Sequence, residues 1–252
     1  MPDPSFEFSV RLAKSEEDLR AAQALRYEVF VCELGGDGEM VDHDAGLERD
    51  RFDPYFDHML LTDRKSDKVV GVYRLLTDER ASELGEFYSE AEYDLAPLKA
   101  TGRRLLELGR SCLHRDYRGG AGMYHLWNGL AQYVSERNID VLFGVASFPG
   151  TDINALSAPL SLLHDRHLAP EELRVRSRRY QSMDLIAPEA LDRRKAMVEV
   201  PALIKAYLRL GGFVGDGAYV DHSFNTTDVC LILDTQRMNA RQKKIYAGRN
   251  DG

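Results

Sequence analysis

Residues 104–136 constrain the fold more than any other part of the chain. Residues 104–113 are apolar and β-prone, and residues 114–122 are polar and carry glycines at 119, 120 and 122. From about Met123 to Glu136 apolar positions return at helical spacing. A strand that turns through glycines straight into a helix belongs to a sheet flanked by helices. Gly119, Gly120 and Gly122 would let backbone N–H groups approach a phosphate at the helix N-terminus, where the local partial charge favours an anion. Arg115 and Arg118 add guanidinium groups to the same turn. A strand-to-helix turn with no ligand fits these residues too, because a glycine-rich turn is a weak signal by itself.

The flanking sequence supports that class. Phe8–Leu12 alternates as a strand. Ser15-Glu16-Glu17-Asp18 resembles a capping box with Asp in the Glu position, and it opens a helix through about Phe30. Residues 33–57 are polar and glycine-rich but hold several aromatics, and they read as an ordered loop over a site. Residues 58–62 and 69–76 form a strand pair around a polar turn. Residues 141–147, 213–220 and 229–233 read as strands, and residues 156–168 and 202–210 as helices. The expected fold class is α/β, a three-layer α/β/α arrangement with a mixed central sheet, in one domain over residues 1–252. A loosely ordered tail is expected from about 238.

Composition removes several function classes. A formal charge of -8 argues against general nucleic-acid binding, which needs a basic surface. No apolar run reaches the roughly 20 residues that span a bilayer. Residues 1–9 lack the basic-then-apolar order of a secretory signal, so a cytoplasmic location is expected. Cys32, Cys112 and Cys230 are scattered and odd in number, which predicts neither a disulfide framework nor a zinc site. His164 and His167 stand three apart without an acidic or Cys partner nearby, and no metal is expected.

Glu107 is the residue that asks for an explanation. It lies in Leu105-Leu106-Glu107-Leu108-Gly109-Arg110, where a carboxylate is costly unless paired or protonated. Burial would raise its pKa toward the range of a general base, and an internal salt bridge to an arginine is the competing reading. Arg26, Asp50, Asp53 and Arg74, taken singly, also read as surface or ion-pair residues.

The order of these residues is more specific than any one of them. Arg26 with Phe30, then Glu48-x-Asp50-x-Phe52-Asp53, Arg74, Phe87 and Glu107-x-x-Arg110 resembles the acyl-homoserine-lactone synthases over the first half of the chain. The strand, turn and helix resemble the acyl-donor loop of the GCN5-related N-acetyltransferase fold. Ala121 stands where that loop usually has glycine and Met123 where it has glycine or alanine, which leans away from an acetyl-CoA donor. A closer likeness, from about Val10 to Asp234, is to the ornithine-lipid N-acyltransferases. It is carried by Leu25-Arg26-Tyr27-Glu28-Val29-Phe30, Gly71-Val72-Tyr73-Arg74, Phe87-Tyr88-Ser89-Glu90, residues 106–119 and residues 201–212.

That resemblance implies transfer of a 3-hydroxyacyl group from acyl carrier protein to the α-amine of L-ornithine, forming lyso-ornithine lipid. It implies no tightly bound cofactor; the donor arrives on the 4'-phosphopantetheine arm of its carrier. Glu107 would be the general base. Arg26, Phe30, Asp50, Asp53, Arg74 and Arg110 would bind the amino acid, or the charged ones would pair with one another and shape its pocket. The donor would lie along Ser111, Cys112, Leu113, Arg115, Arg118, Gly119, Gly120 and Gly122, with backbone N–H groups of residues 111–113 at the oxyanion. Arg174, Arg176, Arg178 and Arg179 form the densest basic cluster, a dock for the acidic carrier or a solvated face. The amphipathic product allows peripheral contact at the inner face of the membrane. Alternatives are glutamine or another amino acid as acceptor, signal synthesis from S-adenosylmethionine, an acetyl-CoA N-acetyltransferase, and a non-catalytic carrier or lipid binding module.

Overall fold

Serine before a run of acidic residues starts the first helix as the sequence predicts. Ser15 Oγ accepts from Asp18 N at 3.2 Å, and Glu16, Glu17 and Asp18 lie in the first turn, where negative charge is favoured. The Asp18 carboxylate accepts from Lys14 N at 2.8 Å and pairs with Arg11, so it also ties the helix to the preceding strand.

The computed structural model describes residues 7–119, 121–240 and 242. In chain order the elements begin with β1 (Phe8–Leu12), α1 (Glu16–Arg26), β2 (Asp57–Asp63), β3 (Lys68–Thr77) and α2 (Asp78–Leu84). β4 (Tyr93–Asp94), α3 (Ala96–Ala100), β5 (Leu105–Leu113), α4 (Gly122–Glu136) and β6 (Val141–Pro149) follow. The chain closes with α5 (Ser157–His167), β7 (Arg176–Ser177), α6 (Arg193–Glu199), α7 (Ala202–Arg209), β8 (Phe213–Val214), β9 (Tyr219–Asp221) and β10 (Thr226–Asp234). Contacts divide it into two compact units, and β5 passes from the second into the first between Glu107 and Leu108.

The first unit comprises residues 7–85 and 108–138 of the described chain. β1 pairs antiparallel with β2 (Val10 opposite Leu61), β2 with β3 (Leu60 opposite Val72), and β3 neighbours β5. Ala22, Leu25 and Val29 pack on Leu60, Val72 and Cys112, which joins the helix to the sheet through apolar side chains. The helix expected to run through Phe30 is α-helical to Arg26 and continues as a π-helical segment, Tyr27–Glu33. Leu34 N bonds Val29 O at 3.2 Å, five residues back, the signature of that wider turn. The long loop is ordered: Leu47, Phe52 and Phe56 are buried, Asp42 and Leu47 exchange backbone bonds, and Glu48 N bonds Gln23 O at 3.1 Å.

The second unit comprises residues 86–107, 139–240 and 242 of the described chain. β5 pairs parallel with β6 at Leu105 to Val141, Leu106 to Leu142 and Glu107 to Phe143. β6 pairs antiparallel with β10, so the sheet is mixed, and β8 and β9 both pair with β10. The strand expected over 213–220 is split, because Gly215 N bonds Cys230 O while Asp216 N turns to Val175 O. Leu162 on α5 packs with Leu191 and Ala196, and Ile204 and Tyr207 are the buried residues of α7. The expected α/β class with a mixed sheet and flanking helices is what the chain adopts. No helix among the described residues is long and apolar enough to cross a membrane. Most of the tail expected from 238 lies outside the described residues.

Candidate active site

β5 carries the residues that the sequence singled out, and it is irregular where they lie. Leu105 to Leu108 are buried, Gly109, Arg110 and Ser111 are partly exposed, and Cys112 and Leu113 are buried again. Arg110 has φ 49°, a left-handed conformation uncommon for a residue with a Cβ. Regular strand geometry is therefore interrupted at Arg110. Strain of this kind is kept only where the surroundings enforce it, and it gathers at functional sites.

In the first unit, Arg26, Arg74 and Arg110 meet Glu48, Asp50 and Asp53. Arg26 is fully enclosed and donates to both oxygens of Asp53, at 2.7 and 2.8 Å, and to Glu48 O at 2.5 Å. Its Nε lies 2.5 Å from Glu48 Oε2, an ion pair outside hydrogen-bond geometry. Arg74, also fully enclosed, donates to Asp50 at 2.6 Å and Asp53 at 2.9 Å and lies 4.4 Å from the Phe56 ring centre. Arg110 Nε donates to Glu48 Oε1 at 3.0 Å, and its guanidinium lies 5.7 Å from the Phe30 ring centre. Gln23 adds a bond to Asp53 at 2.9 Å, and His58 Nε2 lies 3.0 Å from Asp53 O.

Charge pairing governs this cluster's titration. Burial opposes ionisation of Asp53, but the bonds to Arg26 and the charges of Arg26 and Arg74 prevail and hold its pKa low. Burial likewise opposes ionisation of Glu48, and Arg110 and Arg26 overcome it. His58 is held below its usual value, chiefly by burial. Arg26 pairs with Asp53, and Arg74 pairs with Asp50 and Asp53.

In the second unit, Glu107 is 1% exposed. Its Oε2 accepts from Tyr88 N at 2.7 Å, and its Oε1 accepts from Ser89 N at 2.6 Å and from Ser89 Oγ in a short bond. These donors open a 3₁₀ turn, Tyr88–Ala91. Burial, and after it the charge of Glu107, pushes the Cys230 thiol's pKa up.

The donor turn belongs to the first unit. Arg118 pairs with Glu33 at 2.8 Å and its Nε donates to Leu113 O at 3.0 Å. Arg115 lies 3.6 Å from Glu28 and 3.8 Å from Glu33. Gly119 has φ 77°, which favours glycine. A Cβ at Gly122 would approach Leu61 Cδ2 tightly, at 3.3 Å, and would lie 3.5 Å from Leu113. Gly120 lies outside the described residues. α4 starts at Gly122 without a side-chain cap, leaving its first N–H groups to be satisfied by solvent or a ligand. Cys112 is a core residue whose thiol burial pushes up to about 12, and Ser111 Oγ is buried without a hydrogen-bond partner among the described residues.

The basic cluster is smaller than its sequence suggests. Arg174 Nε donates to Ala169 O at 2.7 Å, and Arg176 pairs with Asp216 at 3.0 Å and stacks 4.2 Å from the Tyr180 ring centre. Arg178 and Arg179 remain exposed. Sequence reasoning gave no role to Gln23, His58 or Ser89. Glu48 was visible in the acidic loop, but nothing local marked it as a partner of two arginines. Ser89 carries no local signal either, because it meets Glu107 across 18 positions.

The strained strand, the glycine turn and the start of α4 all lie within the segment that matches a GCN5-related acetyltransferase domain. The acetyltransferase (GNAT) domain model matches residues 25–128. A CoA-dependent acyl-homoserine lactone synthase superposes with a TM-score of 0.55 at 14% identity, covering 95% of this chain and 88% of that one. An N-acyl amino acid synthase from uncultured soil microbes gives 0.51 at 10% identity over 92% and 93%. Sequence is more specific. An L-ornithine N(alpha)-acyltransferase of Rhodobacter capsulatus is 58% identical, covering 97% of this chain and 96% of the relative. One from Brucella abortus is 42% identical over 94% and 88%. The chain belongs to the L-ornithine N(alpha)-acyltransferase family.

Proposed function

We propose that this chain transfers a 3-hydroxyacyl group from the 4'-phosphopantetheine arm of acyl carrier protein to the α-amine of L-ornithine, giving lyso-ornithine lipid. The likeness over nearly the full length to proteins named for that acceptor carries the reading.

The chemistry follows from the acceptor. An α-ammonium group cannot attack a thioester until it loses a proton. Glu107 is assigned as the base, directly or through one water, a role typically worth about 10²–10⁴ in rate. The amine nitrogen then bonds the thioester carbonyl carbon, and backbone N–H groups of residues 111–113 are assigned to the oxyanion. Collapse breaks the C–S bond and releases the carrier thiolate. Arg110, the partly exposed guanidinium beside Phe30, is assigned to the ornithine carboxylate. Arg26, Arg74, Asp50 and Asp53 are assigned to bracing the acidic loop. Arg115, Arg118 and the N-terminus of α4 suit the phosphate of the donor arm. Arg178 and Arg179 suit the acidic carrier, and the amphipathic product suits peripheral contact with the inner membrane face.

Lipid mass spectrometry of cells that lack amino-acid lipids tests this reading. Expression of the protein should produce 3-hydroxyacyl-ornithine, and Glu107→Gln should not. No new ornithine-linked lipid with the unaltered protein would defeat the proposal.

A further inference from the structure

We infer that Ser89 is a positioning residue that sets the orientation of the Glu107 carboxylate; the inference rests on the assignment of Glu107 as the base. Ser89 is buried, and its hydroxyl is directed at Glu107. It contributes two of the three donors described above, its N–H and its hydroxyl, both to Oε1. Tyr88 N holds Oε2. Fixing both oxygens removes the freedom a carboxylate has about its last side-chain bond, and aims its lone pairs in one direction.

The turn that carries these donors is itself secured within the same unit. Phe87 N donates to Glu90 Oε2 at 2.8 Å, and Lys99 pairs with Glu90 at 2.6 Å. The Lys99 ammonium lies 5.7 Å from the centre of the Phe87 ring. That ring meets Phe143 edge-on, with centroids 5.0 Å apart, and Phe143 is the ladder partner of Glu107. Turn and strand are therefore linked by side-chain contacts beside the carboxylate. Of the three donors described, the hydroxyl is the one that a side-chain substitution removes.

Ser89→Thr and Ser89→Val make the test, because they add the same bulk and differ in the hydroxyl; Ser89→Ala accompanies them. Purified full-length variants are assayed with 3-hydroxyacyl carrier protein and ornithine, with thermal unfolding as the fold control. Ser89→Ala and Ser89→Val should lower kcat about 10- to 100-fold, the loss of one hydrogen bond to a charged group, with KM for either substrate changed less than about 3-fold. Ser89→Thr should recover most of kcat. In a Glu107→Gln background, Ser89→Ala should cost less than about 2-fold further. Equal kcat for Thr and Val, a loss confined to KM, or an undiminished loss in the Glu107→Gln background would overturn the inference. An unaltered protein that acylates no ornithine would defeat the functional reading instead, and the Ser89 series is then read on the amine it does acylate.

Discussion

In the first unit Arg26, Arg74 and Arg110 stand against Glu48, Asp50 and Asp53, three cations with three anions. In the second, Glu107 is gripped by two backbone N–H groups and a serine hydroxyl of one short turn. Both regions bury charge, and burial alone does not separate them. Matched ion pairs of Arg26 and Arg74 with Asp53, and of Arg74 with Asp50, fix a loop against a helix and a strand. A carboxylate held by backbone N–H groups and a hydroxyl has its direction set by neutral donors. What holds a buried ionisable group says more about its use than how deeply it lies.

The largest effect should come from Glu107→Gln, which removes the assigned base. Turnover should fall about 10²–10⁴-fold. The amide would also turn an N–H toward at least one of the turn's donors, so a lower melting temperature is expected as well. A variant that keeps near-normal turnover would reduce Glu107 to a structural role.

Asp53→Ala should be the most destabilising change in the ion network, because it strips a partner from two enclosed arginines. A loss of about 3–5 kcal/mol in urea unfolding is expected. Arg110→Ala should act differently, since Arg110 is itself partly exposed and buried Glu48 keeps its ion pair with Arg26. The KM for ornithine should rise about 10- to 100-fold with little change in unfolding. Equal stability losses for both substitutions would erase the distinction between brace and binder.

Stability should also fall in acid in two stages. His58 has a lowered folded pKa, so the unfolded chain takes up a proton first, and stability is lost as pH falls through about 6.5. Asp53 and Glu48 have lowered pKa values, so their contribution is present above the unfolded carboxylate range and lost as pH falls below about 4. Urea midpoints measured between about pH 7.5 and 5 should decline. His58→Gln should flatten that first stage. The smallest effect belongs to Arg178→Glu with Arg179→Glu, which should raise KM for the carrier-protein donor by about 3- to 10-fold at low salt. An unchanged KM would remove those arginines as the dock.

The first helix start, the hairpin of β2 and β3, and the run from β5 into α4 were legible in the sequence because each depends on neighbours within a few residues. Ser15 needs only Asp18, and strands show themselves by alternation. The π-helical segment, the divided β8 and β9 and the left-handed Arg110 were not legible, since each is imposed by contacts from distant chain. The resemblance picked out the charged residues of the site, but not how they would be used. Arg26 and Asp53 lie 27 positions apart and Arg110 and Glu48 lie 62 apart, so their pairing had no local pattern to reveal it.

The central claim is most directly tested by the position of the new bond. Purified protein would be given 3-hydroxyacyl carrier protein and L-ornithine labelled with ¹⁵N at the α position, and the product fragmented by tandem mass spectrometry. The account predicts the acyl group on the labelled nitrogen and no product when acetyl-CoA replaces the carrier-bound donor. Acylation of the δ-nitrogen, or turnover with acetyl-CoA alone, would contradict it.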